Sequence, residues 1–122
     1  MMSQFEAEKT TEWVSGLTES VELECKLAGG RDGKGALPKD FWETYSAFAN
    51  THGGVVLLGI KEKPKGRFSI EGIQQPDKVI GDLFNTLNNP SKVSVNLLQD
   101  SDVEVLDVHG KSVIQVTVPQ AT

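Results

Sequence analysis

The chain carries few of the residues on which covalent or metal chemistry usually depends. Its 122 residues include one cysteine, Cys25, and two histidines, His52 and His109. A lone thiol excludes an internal disulfide and any cysteine-cluster metal site, and a reducing cytoplasm is its natural setting. Two histidines argue against a multi-histidine centre. No run reaches the ~20 apolar residues of a membrane-spanning helix, so no membrane partner is expected. The opening Met1–Glu8 is polar and acidic, unlike a secretory leader. Internal repeats, low-complexity blocks and Ser/His/Asp or Cys/His arrangements are also missing. Cys25 alternates with Val21 and Leu23, which places it in a core, and the two histidines read as capping or turn residues.

Net charge is −5, which by itself disfavours a polyanionic partner. The charges are unevenly distributed, however. Residues 1–24 hold six glutamates against one lysine, residues 25–67 eight basic against four acidic side chains, and residues 68–122 three against seven. Positive charge is thus concentrated mid-chain, in two loops. A solvated face and a phosphate-binding patch both fit that pattern.

The hydrophobic period changes once, within Tyr45–Ile60. Phe41, Trp42, Tyr45, Phe48 and Ala49 recur as one face of a helix. Val55–Ile60 is an unbroken apolar run, expected as a strand buried on both faces. Gly53-Gly54 joins them where a helix end needs positive φ. Around this centre the pattern predicts a short N-terminal helix over 4–16, closed by Gly16, and a half-buried strand from Ser20 to Leu27. A flexible basic loop follows at Gly29–Gly35, ending at Pro38 in the first turn of the central helix. Beyond the central strand come a Lys61–Gly66 hairpin turn returning through Phe68, Ile70 and Ile73, and a helix over Asp77–Asn88. Strand-like runs follow at Lys92–Leu98, Val103–Val108 and Ser112–Val118. The expected fold is α+β, with a mainly antiparallel mixed sheet of about six strands, two principal helices and the short N-terminal one. Residues 1–16 form the helical segment and 17–122 the domain.

The Gly-rich loop is not a Walker motif. Three residues separate Gly29 from Gly33, and Gly35 stands where Ser or Thr would hold magnesium. Glu22 and Glu24 share a strand face, ~7 Å apart, with Glu19 just before them and Lys26 after. Such a set can hold a divalent cation or simply meet solvent. Phe41, Trp42, Tyr45 and Phe48 could stack bases, but at helical spacing they read as core.

Glu19-Ser20-Val21-Glu22-Leu23-Glu24-Cys25-Lys26 resembles the E-S-x-x-x-E-F-K opening of the Schlafen-type, AlbA-like domain. Ser46–Ile60 is similar to that family's S-A-F-A-N-T-x-G-G-x-L-x-x-G-V centre. Ile70-Glu71-Gly72-Ile73, Pro90 and the closing Val116–Pro119 follow in the family's order, so the resemblance spans about residues 17–120. It implies a DNA-binding domain, N-terminal in bacterial transcriptional regulators, and therefore a fragment of a longer protein. Lys26, Arg31, Lys34, Lys39, Lys61, Lys63, Lys65 and Arg67 would contact backbone phosphates, with no cofactor. The animal Schlafens imply an alternative, a metal-dependent endoribonuclease. On that reading Glu19, Glu24 and Glu62 form an acidic triad on Mn or Mg, with Glu19 and Glu24 matching the motif directly and Lys26 steadying developing charge. Two departures weaken it: Cys25 replaces the usual Phe, and Glu62 stands between lysines where the family often has an Asp pair. A third reading is a dimerisation or ligand-sensing module, with a homodimer as its partner state.

Overall fold

The change of period at Gly53-Gly54 is where the molecule turns from helix to sheet. The structure, a computed structural model, describes residues 4–20, 22–29, 35–89 and 96–121. In chain order it contains helix α1 (Gln4–Ser20), strand β1 (Leu23–Lys26), helix α2 (Phe41–Ala49), and strands β2 (Gly54–Leu58), β3 (Ile60–Lys63) and β4 (Arg67–Ile70). Helix α3 (Pro76–Leu87) and strands β5 (Val103–Val108) and β6 (Lys111–Val118) complete it. The α+β class is as expected, with six strands among the described residues.

Those strands form two sheets rather than one. A four-stranded sheet runs in the order β1-β2-β6-β5, and β3 pairs only with β4. Strands β1 and β2 are parallel, with Leu23 opposite Val55 and Lys26 opposite Leu58. The remaining pairs are antiparallel. A parallel pair needs a crossover, and α2 lies on it. The β5–β6 hairpin turns through His109 and Gly110 alone, both at positive φ (53° and 80°), as a twist-matched two-residue turn requires.

Gly59 splits the apolar run that reads as one strand. It adopts φ +100°, its N–H donates to the Lys26 carbonyl at 2.8 Å, and its own carbonyl accepts from the Glu71 and Gly72 N–H groups. Strand β2 therefore ends at Leu58, and Ile60 opens the second sheet.

Alternation along β2 supplies two cores. Val56 and Leu58, with Ile114, Val116 and Val118 of β6, pack against Phe41, Tyr45 and Ala49 of α2 and Val79, Leu83 and Leu87 of α3. Val55 and Leu57, with Val113, face Val14 of α1 and Ile60 and Ile70 of the β3–β4 hairpin. Helix α1 is longer than the sequence pattern suggests, running through Gly16 to Ser20. It is held to the hairpin by the Thr11 hydroxyl, which accepts from the Phe68 N–H at 3.2 Å. Pro38 lies before α2 rather than in its first turn, its carbonyl accepting from the Phe41 N–H at 3.1 Å. Of the expected strand at 92–98, residues 92–95 lie outside the described residues. Asn96–Leu98 are not strand, and Leu97 donates its N–H to the Tyr45 hydroxyl at 3.0 Å.

At the end of β1, the Lys26 Nζ meets the Asp40 Oδ2 at 2.9 Å, with 9% of the lysine side chain exposed against 61% of the aspartate. This pair joins β1 to the start of α2. The hydrogen bond from Lys26, with its charge, holds the Asp40 carboxyl below its ordinary value of 3.8 despite some opposing desolvation.

Two predictions follow from this packing. Gly53 has φ +78°, and a Cβ there would stand 2.6 Å from the Val118 carbonyl oxygen. Gly53→Ala should therefore destabilise by about 3 kcal/mol, combining left-handed strain with a backbone clash. A thermal midpoint by circular dichroism within a few degrees of wild type would contradict this. Asp40→Asn leaves the nearly buried ammonium without its carboxylate and should cost about 1–2 kcal/mol at neutral pH. Because Asp40's folded pKa is depressed, the contribution is fully present above 3.8 and is lost as pH falls below it. The two proteins' midpoints should thus converge in acid, and a gap that persists or widens there would refute the assignment.

Candidate nucleic-acid interface

Strand alternation sorts the hairpin's charges by sign. On β3, Lys61 and Lys63 share one face, while Glu62 falls on the other with Ile60. Register places Arg67 directly opposite Lys63 and Ser69 opposite Lys61. Lys61, Lys63 and Arg67 are exposed. The Arg67 Nε donates to the Pro64 carbonyl at 3.4 Å, which steadies the guanidinium over the turn. Among the described residues the ion pairs are Lys9–Glu12 and Lys26–Asp40, so no described carboxylate neutralises these three cations. The side chain of Lys65, in the turn between them, lies outside the described residues.

The other expected phosphate ligands are placed differently. Lys26 is engaged by Asp40 and does not reach the hairpin's cationic face as a free charge. Lys39 is exposed, in a separate groove of about 350 Å³ between the start of α2 and α3, beside Trp42, Asp82 and Asn85. Arg31 and Lys34 lie outside the described residues. The neck of their loop is defined, however, with Gly35 and Ala36 donating to the Gly29 and Ala28 carbonyls, each at 2.9 Å. Ala28 and Gly29 also line an open groove of about 420 Å³ with Leu27, Lys61, Glu71 and Gly72. The loop's neck and the hairpin therefore meet at one groove, to which the hairpin contributes Lys61.

Phe41 and Tyr45 are buried and Trp42 packs edge-on to each, with ring centroids 4.9 and 5.3 Å apart. These aromatics are core, as their spacing predicts. Burial pushes the Tyr45 phenol above its ordinary value.

Of the alternative acidic triad, Glu19 is near the end of α1 and its side chain lies outside the described residues. Glu24 and Glu62 are exposed. By alternation Glu24 belongs to the face of β1 that carries Lys26, and Cys25 to the face turned toward the second core. Burial, then the charges of Glu62 and Glu24, push the Cys25 thiol up to about 12. It stays protonated and is not a nucleophile. Among the described residues no three of His, Cys, Asp and Glu gather into a metal-holding group.

Sequence reasoning did not find the groove residues Leu27, Glu71 and Gly72. Leu27 is 45% exposed although it continues the Val21-Leu23-Cys25 alternation, because β1 ends at Lys26 and the sequence pattern does not show that end.

No helix among the described residues is long and apolar enough to cross a membrane. No curated protein matches the chain. Among solved structures, it is similar to the N-terminal domain of a Nitrosomonas europaea protein named for its relation to the ATP-dependent DNA helicase RecG. Identity there is 30%, the match covers 100% of this chain and 76% of that one, and the TM-score is 0.68. A protein of Corynebacterium diphtheriae shares the fold at 22% identity and TM-score 0.54, with 94% of this chain matched to 23% of that one. The family model for the Schlafen AlbA_2 domain matches residues 19–122, and the chain belongs to that family.

Proposed function

We propose that this domain binds nucleic acid through backbone phosphates on the exposed face of the β3–β4 hairpin, as the DNA-binding module of a bacterial transcriptional regulator. The observation that carries the reading is the set Lys61, Lys63 and Arg67, paired with no carboxylate among the described residues and assembled by strand register on one face of a chain whose net charge is −5. Phosphate contacts attract and position without specifying sequence. Isolated, the domain binds in the non-specific range, about 10⁻⁴–10⁻⁶ M. The family and the similarity to a domain of a RecG-related protein support a nucleic-acid role. Lys26 is left out of the contact set because Asp40 holds its ammonium.

The test is fluorescence anisotropy with a labelled duplex at two salt concentrations. Lys61→Gln/Lys63→Gln/Arg67→Gln should weaken binding roughly tenfold or more at low salt and flatten the salt dependence by about two to three phosphate contacts. Affinity and slope both unchanged in the triple variant would refute the proposal.

The alternative reading is a metal-dependent ribonuclease using Glu19, Glu24 and Glu62. That reading needs the three carboxylates to converge on Mn²⁺ or Mg²⁺, whereas alternation puts Glu24 on the face of β1 away from Cys25 and Glu62 acts from the Cys25 side. Cleavage of a structured RNA with Mn²⁺, abolished by Glu24→Gln, is the expected result on this reading. Cleavage that survives Glu24→Gln, or none at all, removes it.

A further inference from the structure

We infer that the groove at the root of the hairpin receives one unpaired nucleotide, so that the domain prefers a single strand to a duplex. This rests on the phosphate-binding reading above and deepens it. The groove is lined by Leu27, Ala28, Gly29, Lys61, Glu71 and Gly72 and measures about 420 Å³, room for one nucleotide and far too small for a double helix.

Its chemistry divides as a nucleotide's does. Lys61 supplies a cation at the rim, on the same strand face as Lys63 and Arg67. A strand whose phosphate sits on Lys61 can therefore continue along the hairpin. Leu27 is one of two large hydrophobic side chains exposed among the described residues, at 45%. It offers an apolar surface to a sugar or a base face. The Glu71 carboxylate accepts from the Ser69 hydroxyl at 3.4 Å and keeps lone pairs free for an exocyclic amino group. Such an acceptor repels phosphate and suits a base edge. A duplex keeps its bases stacked and its base edges within the grooves, so it can reach Lys61 but not fill this space.

Gly29 makes the idea testable without disturbing the core. A Cβ there meets nothing within 4 Å, and its φ is not positive. Gly29→Val adds bulk at a lining residue and should narrow the groove while leaving the fold intact, as a thermal melt of the variant will check. Leu27→Ser removes the apolar contact instead and stands in should Gly29→Val fail to fold. The probes are a labelled twelve-nucleotide DNA strand, the same sequence as RNA, and its DNA duplex, measured by anisotropy at low salt.

Wild type should bind the single strands about three- to tenfold more tightly than the duplex. Gly29→Val and Leu27→Ser should each remove that preference with duplex affinity unchanged, whereas Lys61→Gln should weaken both. Equal preference of the DNA and RNA strands identifies the unpaired nucleotide itself as the ligand, and a bias toward one identifies the natural strand. Duplex binding equal to or tighter than single-strand binding overturns this inference and leaves the phosphate reading standing. So does a preference that survives both groove variants. Absence of binding to all three probes overturns both.

Discussion

Burial of β2 on both faces is the constraint from which the rest of the structure follows. A strand in that position cannot leave either face to water. Val56 and Leu58 demand the α2–α3 layer, and Val55 and Leu57 demand α1 and the hairpin. The short link from α2 fixes how this is met. Gly53 lets the backbone approach the β6 carbonyl at Val118, and Gly54 sits against the Phe48 ring, so helix and strand join without a loop long enough to slacken them. Gly59 then turns the chain out of the sheet while the same apolar run continues into Ile60. The cationic hairpin is thus rooted in the second core through Ile60 and Ile70, and a buried base gives its exposed face a fixed orientation.

Much of this was legible in the sequence, and the parts that were not share a cause. The period of α2, the apolar β2, the α3 face and the β5–β6 turn are local patterns, and each forms close to where it reads. Gly59 was less legible, because an apolar run does not show whether it stays in one sheet. The strand break depends on hydrogen bonds to Lys26, Glu71 and Gly72, which are distant in sequence. Helix α1 extends past Gly16 because its packing on β4 supplies tertiary stability that propensity alone does not. For the site, the cluster of basic residues was visible as composition, but its division into engaged and free charge was not. Lys26 alternates with Glu24 in a pattern that suggests solvent, yet it lies nearly buried against Asp40, fourteen positions on.

The same alternation bears on how lysines and glutamate coexist in Lys61-Glu62-Lys63. In a loop these charges would share one solvated volume and largely cancel. In a strand they separate to opposite faces, with Glu62 turned toward the side where its charge acts on Cys25. One acidic residue inside a basic run therefore costs the cationic face little. It also means that the flanking lysines do not decide whether Glu62 could serve a metal, since they do not share its face.

A net charge of −5 is then no obstacle to a polyanionic ligand. At physiological ionic strength the screening length is ~8 Å, so a phosphate at the hairpin senses its immediate neighbours far more than the chain's total. Those neighbours are Lys61, Lys63 and Arg67, with Glu71 beside Lys61 in the groove, while Glu12 lies within 4 Å of Lys9 and Asp40 is paired with Lys26. The global excess of acid acts instead at long range and low salt, where it would slow encounter with a polyanion. Binding held by a small local patch within an acidic body is weak and readily reversible. Such a module gains useful affinity when coupled to a second nucleic-acid contact, because the second binding event then proceeds at a high effective concentration.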